Sequence, residues 1–204
     1  MIFVLKTMKQ KSKKYAILIL AAGTSSRLGR PKQLVKFRNV NLLSHTIDAT
    51  SQIENADTHI ILGAYADEIL DAIDTTLPIH INPTWERGMG NSIAFGVGKV
   101  RDLGYDIVIL TVCDQPYLEA SHFEQLIELY EGDSVADIIL SNYEVGCGPP
   151  SLFSKIYFDQ LGILDGEDGA KSIVKSCKKI LLQVDFNKGH IDIDTKEDLK
   201  SLTE

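Results

Sequence analysis

The chain has 204 residues, 44% hydrophobic and 24% charged, the proportions of a folded globular domain rather than of a disordered, collagen-like or coiled-coil chain. Its 28 acidic and 21 basic residues leave a net charge of -7, so its bulk surface repels polyanions and nucleic acid is not an expected partner. Three cysteines, Cys113, Cys147 and Cys177, with no CxxC pair, fit neither a disulfide framework nor a zinc site and point to a reducing, cytoplasmic setting.

Residues 1–14 read as a flexible basic N-terminal leader, because MIFVL followed by KTMKQKSKK reverses the basic-then-apolar order of a secretory signal. The longest apolar run, 16–22, is far short of the roughly 20 residues that span a bilayer, so no membrane partner is expected. Residues 15–204 have the size of a single domain. Within it, 15–20 (YAILIL) is a continuous apolar run ending near a glycine, the signature of a strand buried on both faces. A helical spacing of apolar residues follows over 41–53, then a strand at 59–62, a helix at 67–73 and a strand at 79–81. The pattern continues with a helix at 92–100, a strong strand at 106–113 and a helix at 121–130. After a strand at 137–141 come helices at 154–161 and 169–177, a strand at 180–184 and a last helix from Thr195. Such alternation predicts an α/β fold: a mostly parallel twisted sheet covered by helices on both faces, with ligands beyond the carboxyl ends of the strands.

Four loops carry candidate chemistry. The first strand runs into LAAGTSSRLGRPK, residues 20–32, where small residues permit close backbone approach and Arg27, Arg30 and Lys32 supply cations, a composition suited to phosphate. It matches neither a Walker A loop nor GxGxxG, since five residues separate Gly23 from Gly29 and Arg30 stands where lysine should follow. A glycine turn with solvated basic residues has the same composition. Asp114 follows directly on the most hydrophobic strand, where a carboxylate calls for a hard cation or for a turn or helix to cap. In HIDID, residues 190–194, an extended chain projects Asp192 and Asp194 to one side and both isoleucines to the other, with Thr195 and Asp198 spaced as a helix cap. Those acids serve either a cation or the helix start. Gly88-Met-Gly-Asn91-Ser92 opens a helical pattern whose backbone donors and polar side chains suit a base edge or phosphate. Residues 146–150 and 165–169 read as turns, and Cys147 has no histidine near it in sequence to make it a nucleophile.

Together, LAAGTSSRLGRPK, GMGNSI, CDQP, GPPSLF, DGEDGAK and DIDTKEDL resemble, in order, the molybdenum cofactor cytidylyltransferases and their relatives in the MobA-like nucleotidyltransferase family. The resemblance implies a Rossmann-like, nucleotide-diphospho-sugar transferase fold in which Leu20, Ala21, Ala22, Gly23, Thr24 and Ser25 hold a nucleoside triphosphate, with Asn91 and Ser92 beside it. It implies that Arg27 and Lys32 contact the phosphates and that Asp114 binds Mg2+, making these three the catalytic residues. It implies Asp194 as the second metal contact, with Asp192 the alternative, and Gln115, Gly148, Pro149, Asp168 and Lys171 as the acceptor side. LAAG leans the base choice toward CTP over GTP. The implied reaction transfers CMP from CTP to the terminal phosphate of molybdopterin, releasing pyrophosphate, with transient contact to a molybdenum hydroxylase. The alternatives are transfer to another phosphorylated small molecule, such as a sugar or polyol phosphate, and a non-catalytic cofactor-binding accessory. The absence of a nucleophilic triad fits transfer between phosphates, because the attacking phosphate is already ionised at neutral pH.

Overall fold

Continuous apolar runs form the centre of the sheet, and the loops at their carboxyl ends gather the polar motifs. A computed structural model describes residues 13–133, 135–177 and 181–201. The expected leader thus lies outside the described residues except for Lys13 and Lys14.

Strand β1 (Tyr15–Ala21) is buried along its whole length. A two-stranded ribbon, β2 (Lys36–Phe37) with β3 (Val40–Asn41), leads into helix α1 (Leu42–Ser51). Then follow β4 (Ala56–Leu62), α2 (Ala66–Ala72), β5 (Ile79–Ile81), α3 (Met89–Asp102), β6 (Ile107–Val112) and α4 (Ala120–Gly132). The remainder comprises β7 (Ile138–Tyr143), β8 (Gly146–Ser154), α5 (Phe158–Leu161), α6 (Lys171–Ser176), β9 (Leu181–Asp185) and α7 (Lys196–Ser201). The main sheet has the order β5-β4-β1-β6-β8-β7-β9. β1 pairs in parallel with β4 and β6, β4 with β5, and β7 with β9, while β8 runs antiparallel to both β6 and β7.

Side-chain alternation along β1 divides the core. Ala16, Leu18 and Leu20 pack with Val97 and Val100 of α3, Leu161 of α5 and Ile173 of α6. Tyr15 and Ile17 face the other way, onto Phe123 and Leu126 of α4, and Ile19 onto Leu43 of α1. Helices therefore cover both faces. Because the chain first builds outward from β1 through β4 and β5, then crosses back to place β6 on the other side, the loops after β1 and β6 open next to each other. Leu20 pairs with Val112 at that point, where open α/β sheets form their ligand crevice.

The structure departs from the sequence pattern in four places. Residues 146–150, expected as a turn, open β8, because Gly146 and a cis Pro149-Pro150 peptide belong to an antiparallel hairpin with β7 rather than to a crossover. Ser154 consequently ends a strand, and the helix expected from it begins only after a 3-10 turn, Lys155–Tyr157. Helix α3 starts at Met89, three residues early, since Gly88 at φ 99° makes the turn into it. Residues 190–194 join no sheet: His190 lies in a turn that the Ile191 amide closes onto the Lys188 carbonyl (3.1 Å), and the Ile193 amide donates to the Asp114 carbonyl (3.0 Å), which ties the segment to the loop after β6. Of the strand expected at 180–184, Ile180 lies outside the described residues. Among the described residues no helix is long and apolar enough to cross a membrane.

Candidate active site

The loop after β1 folds back on itself. Ser25, at φ 52°, accepts the amides of Leu28 and Gly29 on its carbonyl (both 3.0 Å), and its Oγ accepts the Lys32 amide at 3.0 Å. This turn brings Arg27 and Lys32 over the end of β6. Asp114, 8% exposed, waits there, and the 190–194 segment is tied to it through the Ile193 amide.

Four charged side chains meet at this point. Lys32 Nζ donates to Asp114 Oδ2 and, at 2.9 Å, to Asp194 Oδ1, while the Arg27 guanidinium donates to Asp194 Oδ2 at 2.5 Å. Asp194 is steadied from behind, because the Asp198 carboxylate accepts the amides of Asp194 (3.1 Å) and Thr195 (2.7 Å), and Thr195 Oγ1 accepts the Asp198 amide (3.1 Å). That reciprocal pattern is the expected capping box, so the acids at the helix start both cap and build the site. Burial works against the Lys32 charge, yet the Asp114 carboxylate and the hydrogen bonds to both acids hold the ammonium above its ordinary value. For Asp194, burial is likewise overcome by Lys32 and Arg27, which keep its carboxyl below the usual range. Asp192 behaves oppositely: burial, then the charges of Asp114 and Asp194, push it up. Burial and the Asp114 charge raise the Cys113 thiol to about 12, leaving it an inert core side chain.

The donor chemistry fits a hard divalent cation. Asp114 and Asp194 offer carboxylate oxygens converging on one point, which the Lys32 ammonium now neutralises. Mg2+ typically takes one or two protein carboxylates and completes its shell with waters and substrate phosphates, so a partial set is what such a site needs. Among the described residues no three His, Cys, Asp or Glu side chains form a ready-made metal cage.

Beside this cluster lies a cleft of about 240 Å3, lined by Ala22, Gly23 and Thr24 from the first loop and by Trp85, Gly88, Met89 and Ser92 from the entry to α3. Its walls approach closely where glycine allows. A Cβ on Gly63 would stand 2.5 Å from Trp85 Cβ, and one on Gly90 would stand 2.7 Å from the Asp165 carbonyl oxygen. Buried Asn82 donates to Asn91 Oδ1 (3.0 Å) and Ser92 Oγ (3.2 Å), fixing both expected nucleotide-side residues from behind.

The five expected acceptor-side residues fall into two contact groups. Gln115, 3% exposed, donates from Nε2 to the Gly189 carbonyl (2.7 Å), Tyr143 Oη (2.8 Å) and the Pro149 carbonyl (3.1 Å). It ties β6 to the β7–β8 hairpin and to the approach of Asp192 and Asp194, so its amide hydrogens are occupied within the protein. Gly148 and Pro149 lie on β8, against it. Asp168 and Lys171 are exposed; Asp168 belongs to, and Lys171 opens the helix after, the loop that packs on the start of α3: Gly90 donates to Gly166 (2.7 Å), Gly166 donates to Arg87 (2.9 Å), and Arg87 pairs with Asp165 at 2.6 Å. Glu167 of that loop lines the same cleft as Gly23 and Thr24. Sequence reasoning also passed over Trp85, Asn82 and Gln33, none of which stands in a motif whose spacing has chemical meaning by itself.

The MobA-like NTP transferase domain family matches residues 17–180. The purine catabolism protein PucB of Bacillus subtilis is 26% identical over 192 residues, covering 89% of this chain and 92% of that protein. A crystal structure of Rv0371c from Mycobacterium tuberculosis superposes with a TM-score of 0.83 at 26% identity, covering 95% of this chain and 98% of that one. A second structure of that protein, in complex with manganese, superposes with a TM-score of 0.78 at 23% identity over 93% and 98% of the two chains, a likeness of fold. The chain belongs to the MobA-like NTP transferase family and is a nucleotidyltransferase.

Proposed function

We propose that this MobA-like nucleotidyltransferase transfers CMP from CTP to the terminal phosphate of molybdopterin, releasing pyrophosphate. The observation that carries the reading is the meeting of Lys32 and Arg27 with Asp114 and Asp194 at the adjacent ends of β1 and β6, beside a cleft sized for part of a nucleotide. The triphosphate lies along residues 20–25, with Arg27 and Lys32 turning from the acids toward its phosphates. Asn91 and Ser92 stand on the side of the base and sugar, Ala22 lines the cleft wall, and the LAAG form of the loop leans the choice toward CTP over GTP.

An oxygen of the acceptor phosphate attacks the α-phosphorus, forming the new phosphoanhydride bond, as the bond to the bridging oxygen breaks and its electron pair leaves with pyrophosphate. The attacking phosphate is already ionised at neutral pH, so no side chain must remove a proton. What the chain supplies is orientation and countercharge: Lys32 and Arg27 offset the negative charge gathering on the transferring and leaving groups. Asp114 and Asp194, with Asp192 alongside, would hold Mg2+, which would supply further charge neutralisation there. The manganese complex of Rv0371c supports a divalent cation on this fold. The second reading keeps the same chemistry with a sugar or polyol phosphate as the acceptor. Product handover to a molybdenum hydroxylase belongs to the first reading.

Thermal stabilisation by CTP, GTP, ATP and UTP, each with and without MgCl2, tests this directly. Ligand at 100 times its Kd adds about 2.7 kcal/mol, or roughly 5–11 °C at about 2–4 °C per kcal/mol for a chain of this size. The largest shift is expected for CTP with Mg2+. No shift with any nucleotide and Mg2+ would overturn the reading, and binding without pyrophosphate release would favour a non-catalytic carrier.

A further inference from the structure

Gln33 follows Lys32 in sequence and is 0% exposed. Its Nε2 donates to the Ala21 carbonyl at 2.7 Å and to the Gly23 carbonyl at 3.3 Å. Between these, the Ala22 carbonyl is drawn the other way, accepting the Ala64 amide at 3.0 Å. Three successive peptide groups of the loop are therefore fixed alternately by Gln33 and by the residue after Gly63. In a trans peptide the C=O and N–H point in opposite directions. Drawing the Ala21 and Gly23 carbonyls inward thus turns the amides of Ala22 and Thr24 away from Gln33, on a stretch where Ala22, Gly23 and Thr24 line the cleft.

We propose that Gln33 is a positioning residue that sets the peptide orientation of the Ala21–Gly23–Thr24 stretch for a nucleoside triphosphate. The inference rests on the reading that this loop holds the nucleotide.

The side-chain chemistry is specific. A primary amide supplies two hydrogens from one nitrogen, matching two carbonyls that flank a single residue. Gln33 Oε1 is buried and has no hydrogen-bond partner among the described residues, so the amide is held through its donor side alone. The flipped amide would set Oε1 against two carbonyl oxygens. Glutamate would do the same with a full charge, and methionine would fill the volume while leaving both carbonyls unpaired.

The test is CTP binding in the presence of Mg2+ by calorimetry, with steady-state kinetics alongside, on the parent chain, Gln33→Met and Gln33→Glu. Gln33→Met is expected to raise Kd and KM for CTP about tenfold or more, leaving KM for the acceptor within twofold. Gln33→Glu is expected to bind CTP weakly at pH 8 and to regain affinity relative to the parent as pH falls to 5.5, because the protonated carboxyl can donate to the Ala21 carbonyl. If Gln33→Met does not fold, this pH-dependent rescue decides alone. Parent-like CTP binding by Gln33→Met, equal losses for both substrates, or a Gln33→Glu pH profile parallel to the parent's would each overturn the positioning role while leaving the proposed function standing. Failure of the parent to bind any nucleoside triphosphate would overturn the function itself, and this inference with it.

Discussion

Replacing Lys32 with methionine should move two properties of the ligand-free protein in opposite directions. The ammonium lies against Asp114 and 2.9 Å from Asp194, and the three side chains are only 20%, 11% and 23% exposed. Removing one member of a buried ion pair costs about 3–5 kcal/mol, mostly because its partner is left uncompensated. Here Asp194 keeps Arg27, and the acids retain some water, so a cost below that range, about 2–3 kcal/mol, is expected. That corresponds to a fall of roughly 4–12 °C in Tm. The same substitution frees carboxylate oxygens for a cation, so Mn2+ or Mg2+ should bind the bare variant more tightly than the bare parent and restore much of the lost Tm, while CTP binds more weakly. The pH dependence has a defined sign. Asp194, held below its ordinary pKa, contributes stability above its unfolded value that is lost as pH falls through the folded one. Lys32, held above its ordinary pKa, contributes below its unfolded value and loses the contribution as pH rises through the folded one. The parent–variant gap should therefore be flat across neutral pH and close under strong acid. Melting curves in EDTA and in graded MnCl2 measure both effects. A Lys32→Met protein with the parent's Tm and the parent's metal affinity would refute the view that Lys32 stands in for the cation.

Four further outcomes follow from the structure. Burial lowers His122 to about 4, with Nε2 2.7 Å from Ser141 Oγ, so the unfolded chain binds the proton first as pH drops from 6.5. At 1.36 kcal/mol per pH unit this removes up to about 3 kcal/mol between pH 6.5 and 4, and Tm measured across that range should fall less steeply in His122→Gln. Asp192→Asn should raise Tm in EDTA at pH 7, because burial and the charges of Asp114 and Asp194 disfavour its ionised form, with the gain vanishing in acid; Asp194→Asn should lower Tm because it takes the ion pair from Arg27 and leaves Lys32 with Asp114 alone. Gly90→Ala should push the 165–169 loop from α3, costing about 1–3 kcal/mol in Tm analysis and weakening CTP binding in calorimetry, since Glu167 lines the cleft.

The parallel half of the sheet was legible because its strands are buried on both faces and therefore read as unbroken runs, YAILIL and DIVILTVC being the clearest. The antiparallel strand β8 was not: glycines and prolines at 146–150 carry turn signals, and pairing of Gly146, Cys147 and Gly148 with β7 makes them the start of a strand. The motif residues Arg27, Lys32, Asp114 and Asp194 were visible as charges placed where strands end, and the fold brings them within hydrogen-bonding distance. Alternation in the sequence treats Asp192 and Asp194 alike, and the structure pairs Asp194 with Arg27 and Lys32. The five acceptor-side residues illustrate the limit of motif order. Adjacent motifs need not share a site, and here α3 captures the 165–169 loop while Gln115 turns inward. Gln33 and Asn82 left no trace in the sequence, because a buried amide is defined by the carbonyls it meets.

Central to this account is nucleotidyl transfer at the junction of β1 and β6. The most direct measurement is pyrophosphate release from α-labelled CTP by the purified chain, with molybdopterin or a panel of sugar and polyol phosphates, with and without Mg2+. The account predicts Mg2+-dependent release coupled one-to-one to a labelled cytidylyl product, abolished in Asp114→Ala. Undiminished release by Asp114→Ala, or none from any nucleotide and acceptor, would contradict it.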